Sequence, residues 1–168
     1  MPRTDLAEAA VRTEDEPLID AAVGASRALL AVAARSLAGV ADGVSLPQYR
    51  VLVELASRGP QRSVDLAAVL GVERSTATRM VDRLVRKRLV SRRRQGGSDR
   101  RAVRISLTAS GGELVEHVTR RRRAEISAIL ERMPRADRHQ VLVALRGFAD
   151  AAGEVPEQDW SSGWDLEP

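Results

Sequence analysis

The sequence predicts a mainly α-helical protein carrying one small β-hairpin. Three observations lead there. Ala, Leu and Val dominate a hydrophobic fraction of 43%, while aromatics make up only 2% of the 168 residues. Apolar residues recur at three-four spacing through most of the chain, the period of a helix with one buried face. That period switches to two over one short stretch, between Leu89 and Leu107, on either side of a Gly-Gly turn.

The elements follow in order. Leu18, Ile19, Ala22, Val23, Ser26, Leu29, Leu30, Ala33, Leu37 and Val40 share one face of a long first helix that stops near Asp42-Gly43. Ser45-Leu46-Pro47-Gln48 reads as a helix start, with a Ser cap, an early Pro and Gln three residues after the cap. Leu46, Tyr49, Leu52 and Leu55 line that helix's inner face, and Gly59-Pro60 breaks it. Two short helices are expected at 63–70 and 74–87, joined by a tight turn at Gly71-Val72. Ser63 caps the first, whose Leu66, Ala67 and Leu70 face inward. In the second, Ala77, Met80, Val81 and Leu84 form the buried stripe, leaving Ser75, Thr76, Thr78, Arg79 and Arg83 largely toward solvent. Strands at 89–94 and 102–107 flank a turn at 95–99. Thr108 or Ser110, with Glu113, starts another long helix whose apolar face runs from Leu114 to Met133, and Pro134 ends it. A last helix from about Asp137 carries Val141, Leu142, Leu145, Phe148 and Ala149. The final fifteen or so residues read as a loosely held tail.

The formal net charge of +4 conceals its arrangement. Residues 1–20 hold two Arg and six acids, and residues 149–168 hold six acids and no base. Between Arg58 and Arg123 stand 18 basic and 6 acidic residues, a local excess of +12. Clustered arginine of this density is the electrostatic footprint of a phosphate-backbone binder. Arginine also outnumbers lysine 26 to 1, Lys87 being the single lysine, which records genomic bias as well.

Other chemistries are poorly provided for. There is no cysteine, hence no disulfide, thiolate nucleophile or Cys-based zinc site. His117 and His139 are too far apart for a His-rich metal site and read as surface helix residues. No Gly-rich phosphate loop and no plausible triad is present, so neither an enzyme nor a cofactor is expected. Residues 1–20 are acidic rather than basic-then-apolar, which speaks against a signal peptide. No apolar stretch approaches the roughly 18 residues of a membrane span. A soluble, intracellular protein with no membrane partner is the expectation.

A short helix, a tight turn, a second helix with polar outer residues and then a basic hairpin describe a winged helix-turn-helix. Its physics suits duplex DNA: a helix fits the major groove, where Ser, Thr and Arg reach base edges and phosphates. The hairpin tip can place an arginine in the neighbouring minor groove, whose negative potential favours guanidinium. Single-stranded nucleic acid normally needs an aromatic stacking platform, and the four aromatics (Tyr49, Phe148, Trp160, Trp164) all lie outside the basic motif.

These residues also carry a resemblance. The run VDLAAVLGVERSTATRMVDRLVRKRLVSRR, followed by SDRRAVRISLTASG, resembles the multiple-antibiotic-resistance regulator (MarR) family of bacterial winged-helix repressors. The most specific piece is the wing signature Asp99-Arg100-Arg101 with Leu107-Thr108 beyond it, and the helix order on both sides agrees over roughly residues 16 to 150. The resemblance implies a recognition helix presenting Ser75, Thr76, Thr78, Arg79 and Arg83, with Arg100 and Arg101 on the wing. Arg101 would enter the minor groove, and Asp99 would stabilise the wing. It further implies a homodimer built by the first and last helices and a pseudo-palindromic operator. A small aromatic or anionic effector would release the DNA, and the protein would be cytoplasmic and nucleoid-associated in a bacterium. One departure stands out. The family usually has Gly where this chain has Arg88, and a left-handed residue there strains a non-glycine by roughly 1 kcal/mol. Either that strain or a different helix exit is expected.

The implied organisation is an acidic tail at 1–15, a dimerisation helix at 16–44, a winged helix-turn-helix at 45–109, dimerisation helices at 110–152 and an acidic tail at 153–168. In Arg120-Arg121-Arg122-Arg123, Arg122 alone falls on the apolar stripe, four residues from both Val118 and Ile126. It is expected to be partly buried, paired with a carboxylate or lining an effector cleft; the plainer alternative is a solvated run with snorkelling stems. The two tail tryptophans are expected to dock on a subunit rather than bind a ligand. An architectural, sequence-tolerant DNA-binding protein would account for the +12 block as well, but not for a Ser/Thr-rich recognition face.

Overall fold

The computed structural model describes residues 15–40, 43–94 and 103–160. Among them, six helices and one hairpin follow in chain order: α1 (Glu16–Leu37), α2 (Leu46–Arg58), α3 (Ser63–Leu70), α4 (Arg74–Arg86), β1 (Val90–Arg94), β2 (Val103–Leu107), α5 (Ala109–Glu131) and α6 (Arg138–Ala151). Short 3-10 turns lie at Arg135–Asp137 and Glu157–Asp159. The fold is the expected mainly helical one with a hairpin wing.

Local chemistry sets the element boundaries. Ser45 caps α2 in a reciprocal box: its N–H donates to Gln48 Oε1 at 3.0 Å, and Gln48 N–H donates to Ser45 Oγ at 3.4 Å. At α3 the capping residue is Arg62 rather than Ser63. The Asp65 carboxylate accepts from the Arg62 N–H at 3.3 Å and from its guanidinium at 2.8 Å, which holds the Asp65 carboxyl below its ordinary value. Ser63 is thereby released from capping. Of the two candidates for the start of α5, Thr108 is the cap, its Oγ1 accepting from Gly111 N–H at 3.1 Å.

One apolar core holds the middle of the chain together. Leu52 and Leu55 of α2, Leu66 of α3, Val81 and Leu84 of α4, Val90 and Ile105 of the hairpin, and Val115 and Val118 of α5 are all buried in it. Full burial of each such side chain contributes about 1.5–3 kcal/mol. The hairpin pairs Val90 with Leu107 and Arg92 with Ile105, so Ile105 points into the core. Gln61 adds an outer bridge, exchanging backbone hydrogen bonds of 3.0 and 2.7 Å with Ile105.

The outer helices leave their apolar faces largely open. The predicted apolar face of α1 exists, but only Val32, Ser36 and Leu37 are buried, while Leu18 is 70% exposed. No residue of α6 is buried, and Phe148 is 67% exposed. Among the described residues, nothing covers most of these faces. By length and composition α1 is apolar enough to cross a membrane, which corrects the expectation that no apolar stretch approaches the length of a span. The expectation of a loosely held tail is corrected for residues 153–160, while 161–168 lie outside the described residues. Gly153, at φ +73°, ends α6 with Gly153 N–H on Asp150 O and Glu154 N–H on Ala149 O, both at 3.0 Å. That pattern reverses the chain. The Trp160 indole N–H then donates to Val155 O at 2.9 Å, and its ring packs against the core. Trp164 lies outside the described residues.

Candidate nucleic-acid interface

The helix-turn-helix is built on a glycine. Gly71, in the left-handed region at φ +61°, donates to Ala68 O at 3.2 Å, and Val72 N–H donates to Ala67 O at 3.0 Å. These bonds stop α3 and redirect the chain into α4 within a few residues. On α4, Ala77, Met80, Val81 and Leu84 are buried as expected, which turns Ser75, Arg79 and Arg83 outward. Thr76 is half-buried, and its Oγ1 accepts from Arg79 Nη2 at 3.2 Å. Thr78 does not point freely to solvent. Its hydroxyl donates to Arg74 O at 2.9 Å and sits 3.3 Å from Ser63 Oγ, so Thr78 faces α3 and braces the two helices. A three-four stripe cannot tell a groove-facing hydroxyl from one at the edge of a helix pair.

The exit from α4 carries the anticipated strain. Arg88 has φ +58°, the one positive-φ non-glycine among the described residues. Its N–H donates to Val85 O at 2.9 Å and Leu89 N–H to Leu84 O at 3.0 Å, the glycine-type reversal made by an arginine. Thr108 holds this turn from the other side, its hydroxyl donating to Arg88 O at 2.7 Å and its N–H to Leu89 O at 3.2 Å. Gly111 lets α5 approach so closely, since a Cβ there would lie 2.1 Å from Leu89 O. Thr108 and Gly111 thus lock the foot of the hairpin to the end of α4.

A second lock was not foreseen. Arg92 on β1 pairs with Asp82 on α4 at 2.6 Å. Asp82 is the one acid within an otherwise basic helix, opposite an arginine-rich strand, and that was the available signal. Arg93 and Arg104, paired across the strands, make the outer face of the hairpin basic, with Arg104 Nη1 donating to Pro60 O at 2.9 Å. The wing-tip residues Asp99, Arg100 and Arg101 lie outside the described residues.

Behind the motif, Glu54 is buried between Arg50 and Arg58, at 2.8 and 3.0 Å. The spacing of four on either side could have revealed this triad. Arg122 is half-buried, as its place on the stripe implied, but among the described residues it pairs with no carboxylate. Its guanidinium lies 5.5 Å above the Tyr49 ring, and its buried Nε has no hydrogen-bond partner. Burial pushes the Tyr49 phenol up from its ordinary value, against a Thr119 hydrogen bond and the Arg122 charge that pull it down. Arg120 pairs with Glu116 at 3.5 Å and Arg123 with Glu157 at 2.9 Å, so the four-arginine run is divided among separate partners.

This arrangement has known counterparts. The MarR family profile matches residues 44–103, the span from the Ser45 cap into β2. The chain is 40% identical to RV1404 from Mycobacterium tuberculosis, with a TM-score of 0.80, covering 87% of this chain and 99% of that one. The chain belongs to the MarR family. Family and fold are those of DNA-binding transcriptional regulators. The transcriptional regulator Tm0710 from Thermotoga maritima shares the MarR-type fold at 25% identity and a TM-score of 0.67, over 82% of this chain and 95% of that one. The uncharacterized HTH-type transcriptional regulator YpoP from Bacillus subtilis is 32% identical over 74 residues, 44% of this chain. The chain spans about half, 52%, of that curated relative.

Proposed function

We propose that this protein is a dimeric, site-specific double-stranded DNA-binding regulator, acting as a repressor that a small effector releases. The observation that carries this reading is that an outward polar face on α4 is tied to a basic hairpin by the Arg88–Thr108 and Asp82–Arg92 contacts. Such a unit can be set into a major groove and its flanking minor groove without reorganising.

Ser75, Thr76 and Arg79 are assigned to base edges, and Arg83 to phosphate. Arg100 and Arg101 are assigned to the wing contact, with Asp99 stabilising the tip. Thr78 serves chiefly to position α4. The uncovered faces of α1 and α6 are assigned to a second copy of the chain. An open groove of about 850 Å³ between α5, α6 and the segment beyond it, lined by Leu130, Val141, Leu142, Leu145 and Ala149, gives the partner's helices a seat. Residues 45–109 then form the reading lobe, with 16–44 and 110–152 as the frame. The same assignment covers the apolar length of α1 and favours a cytoplasmic protein without catalytic activity. Two recognition helices in such a dimer stand about 34–36 Å apart, one turn of DNA. The half-buried Arg122 over Tyr49 is the group assigned to an aromatic or anionic effector.

Selection of bound duplexes from a random pool, then competition of the selected site against random duplex at matched salt, tests the reading. The expected preference is at least about a thousandfold. A ratio near one would replace it with architectural DNA binding. Arg101→Ala is expected to lower affinity and reduce the salt slope by about one unit.

A further inference from the structure

We propose that residues 153–160 form an intramolecular clasp that fixes the reading lobe against the dimerisation frame and so sets DNA affinity. The inference rests on the DNA-binding reading above. It starts from α6, which buries no residue in its own chain and is tied to that chain at its two ends. At its start, Arg138 Nη2 donates to the last carbonyls of α5, Glu131 O at 3.3 Å and Met133 O at 3.2 Å. At its end, the Gly153 reversal turns the chain back toward α2.

Four anchors follow within eight residues. Arg58 Nη2 donates to Gly153 O at 2.7 Å. Arg50 grips the Glu154 carboxylate with both of its Nη atoms, one of them 3.0 Å from Oε2. Arg123 of α5 holds Glu157 at 2.9 Å, and Trp160 closes onto the core. Arg50 and Arg58 are the same two residues that flank the buried Glu54 carboxylate. The clasp therefore attaches to side chains already held in place inside the lobe. A bidentate arginine–carboxylate pair on such a support is geometrically selective, unlike an isolated surface ion pair. With the clasp closed, the lobe is pre-set relative to α6. With it open, the lobe samples more orientations, and apparent DNA affinity falls with the competent fraction.

The Arg123–Glu157 pair allows a clean charge swap. Trp160 reports docking once Trp164→Phe leaves it as the single tryptophan. In that background, Arg123→Glu and Glu157→Arg are each expected to raise acrylamide quenching of Trp160 and weaken binding of the selected duplex two- to fivefold. The two substitutions move net charge in opposite directions, so non-specific attraction to DNA would shift their affinities oppositely. The double variant restores the pair at unchanged net charge and is expected to recover both readouts. Unchanged quenching in both single variants would overturn the clasp. So would affinities that merely follow net charge, or a double variant no better than the singles. A wild-type chain that binds no duplex at all would overturn the DNA-binding reading instead, with the quenching series still reporting whether the segment docks.

Discussion

The winged lobe and the helical frame use the same kinds of residue and reach opposite results. In α2, α3, α4 and the hairpin, Leu, Val and Ile meet across a short stretch of chain and close a core within one molecule. In α1 and α6, residues of the same character stay exposed, among them Leu18, Leu30, Leu145 and Phe148. The lobe shares a closed core with the ends of α1 and α5, and the frame leaves its outer apolar faces open. An amphipathic pattern states that a face must be covered, without stating which chain covers it.

Four variants would break or sharpen that contrast. Gly111→Val drives a side chain into the Leu89 carbonyl and is expected to be the most damaging, costing about 3 kcal/mol or more. Chemical denaturation would register it as loss of the lobe's cooperative transition. Leu52→Ala, at a fully buried site, is expected to cost about 2–5 kcal/mol in the same assay. In the frame, Leu145→Asp with Phe148→Asp is expected to change single-chain stability by no more than about 0.5 kcal/mol, as at other exposed sites. Sedimentation should nevertheless show the dimer lost. A large drop in monomer stability would mean that the frame is closed by its own chain after all. The smallest change expected is a gain. Arg88→Gly relieves the left-handed strain and should raise stability by up to about 1 kcal/mol, less the entropy that glycine returns to the unfolded chain.

Much of the interface was legible in the residues. Ser45 with Gln48 marked the start of α2, Gly71 marked the turn, and the apolar stripe of α4 fixed which of its residues face outward. The switch to period two located the hairpin. Strain at Arg88 was one of two outcomes implied by the family's usual glycine at that place. Other features were not legible, for a common reason. Thr78 turns toward Ser63, Asp82 reaches Arg92, and Arg122 lies over Tyr49 only because separate elements are brought side by side. A helical pattern gives a residue's direction around its own axis but not what stands opposite it.

By itself, then, the sequence determined the elements, the Ser45 cap of α2, the buried stripe of α4 and the basic block around the motif, since all of these depend on spacing within a few turns of chain. Tertiary structure alone decided that Thr78 braces rather than protrudes and that Thr108 and Gly111 lock the wing. It also decided that the acidic segment after α6 docks on Arg50, Arg58 and Arg123. Each of those depends on contacts between residues tens of positions apart, where a single ångström separates a hydrogen bond from a clash.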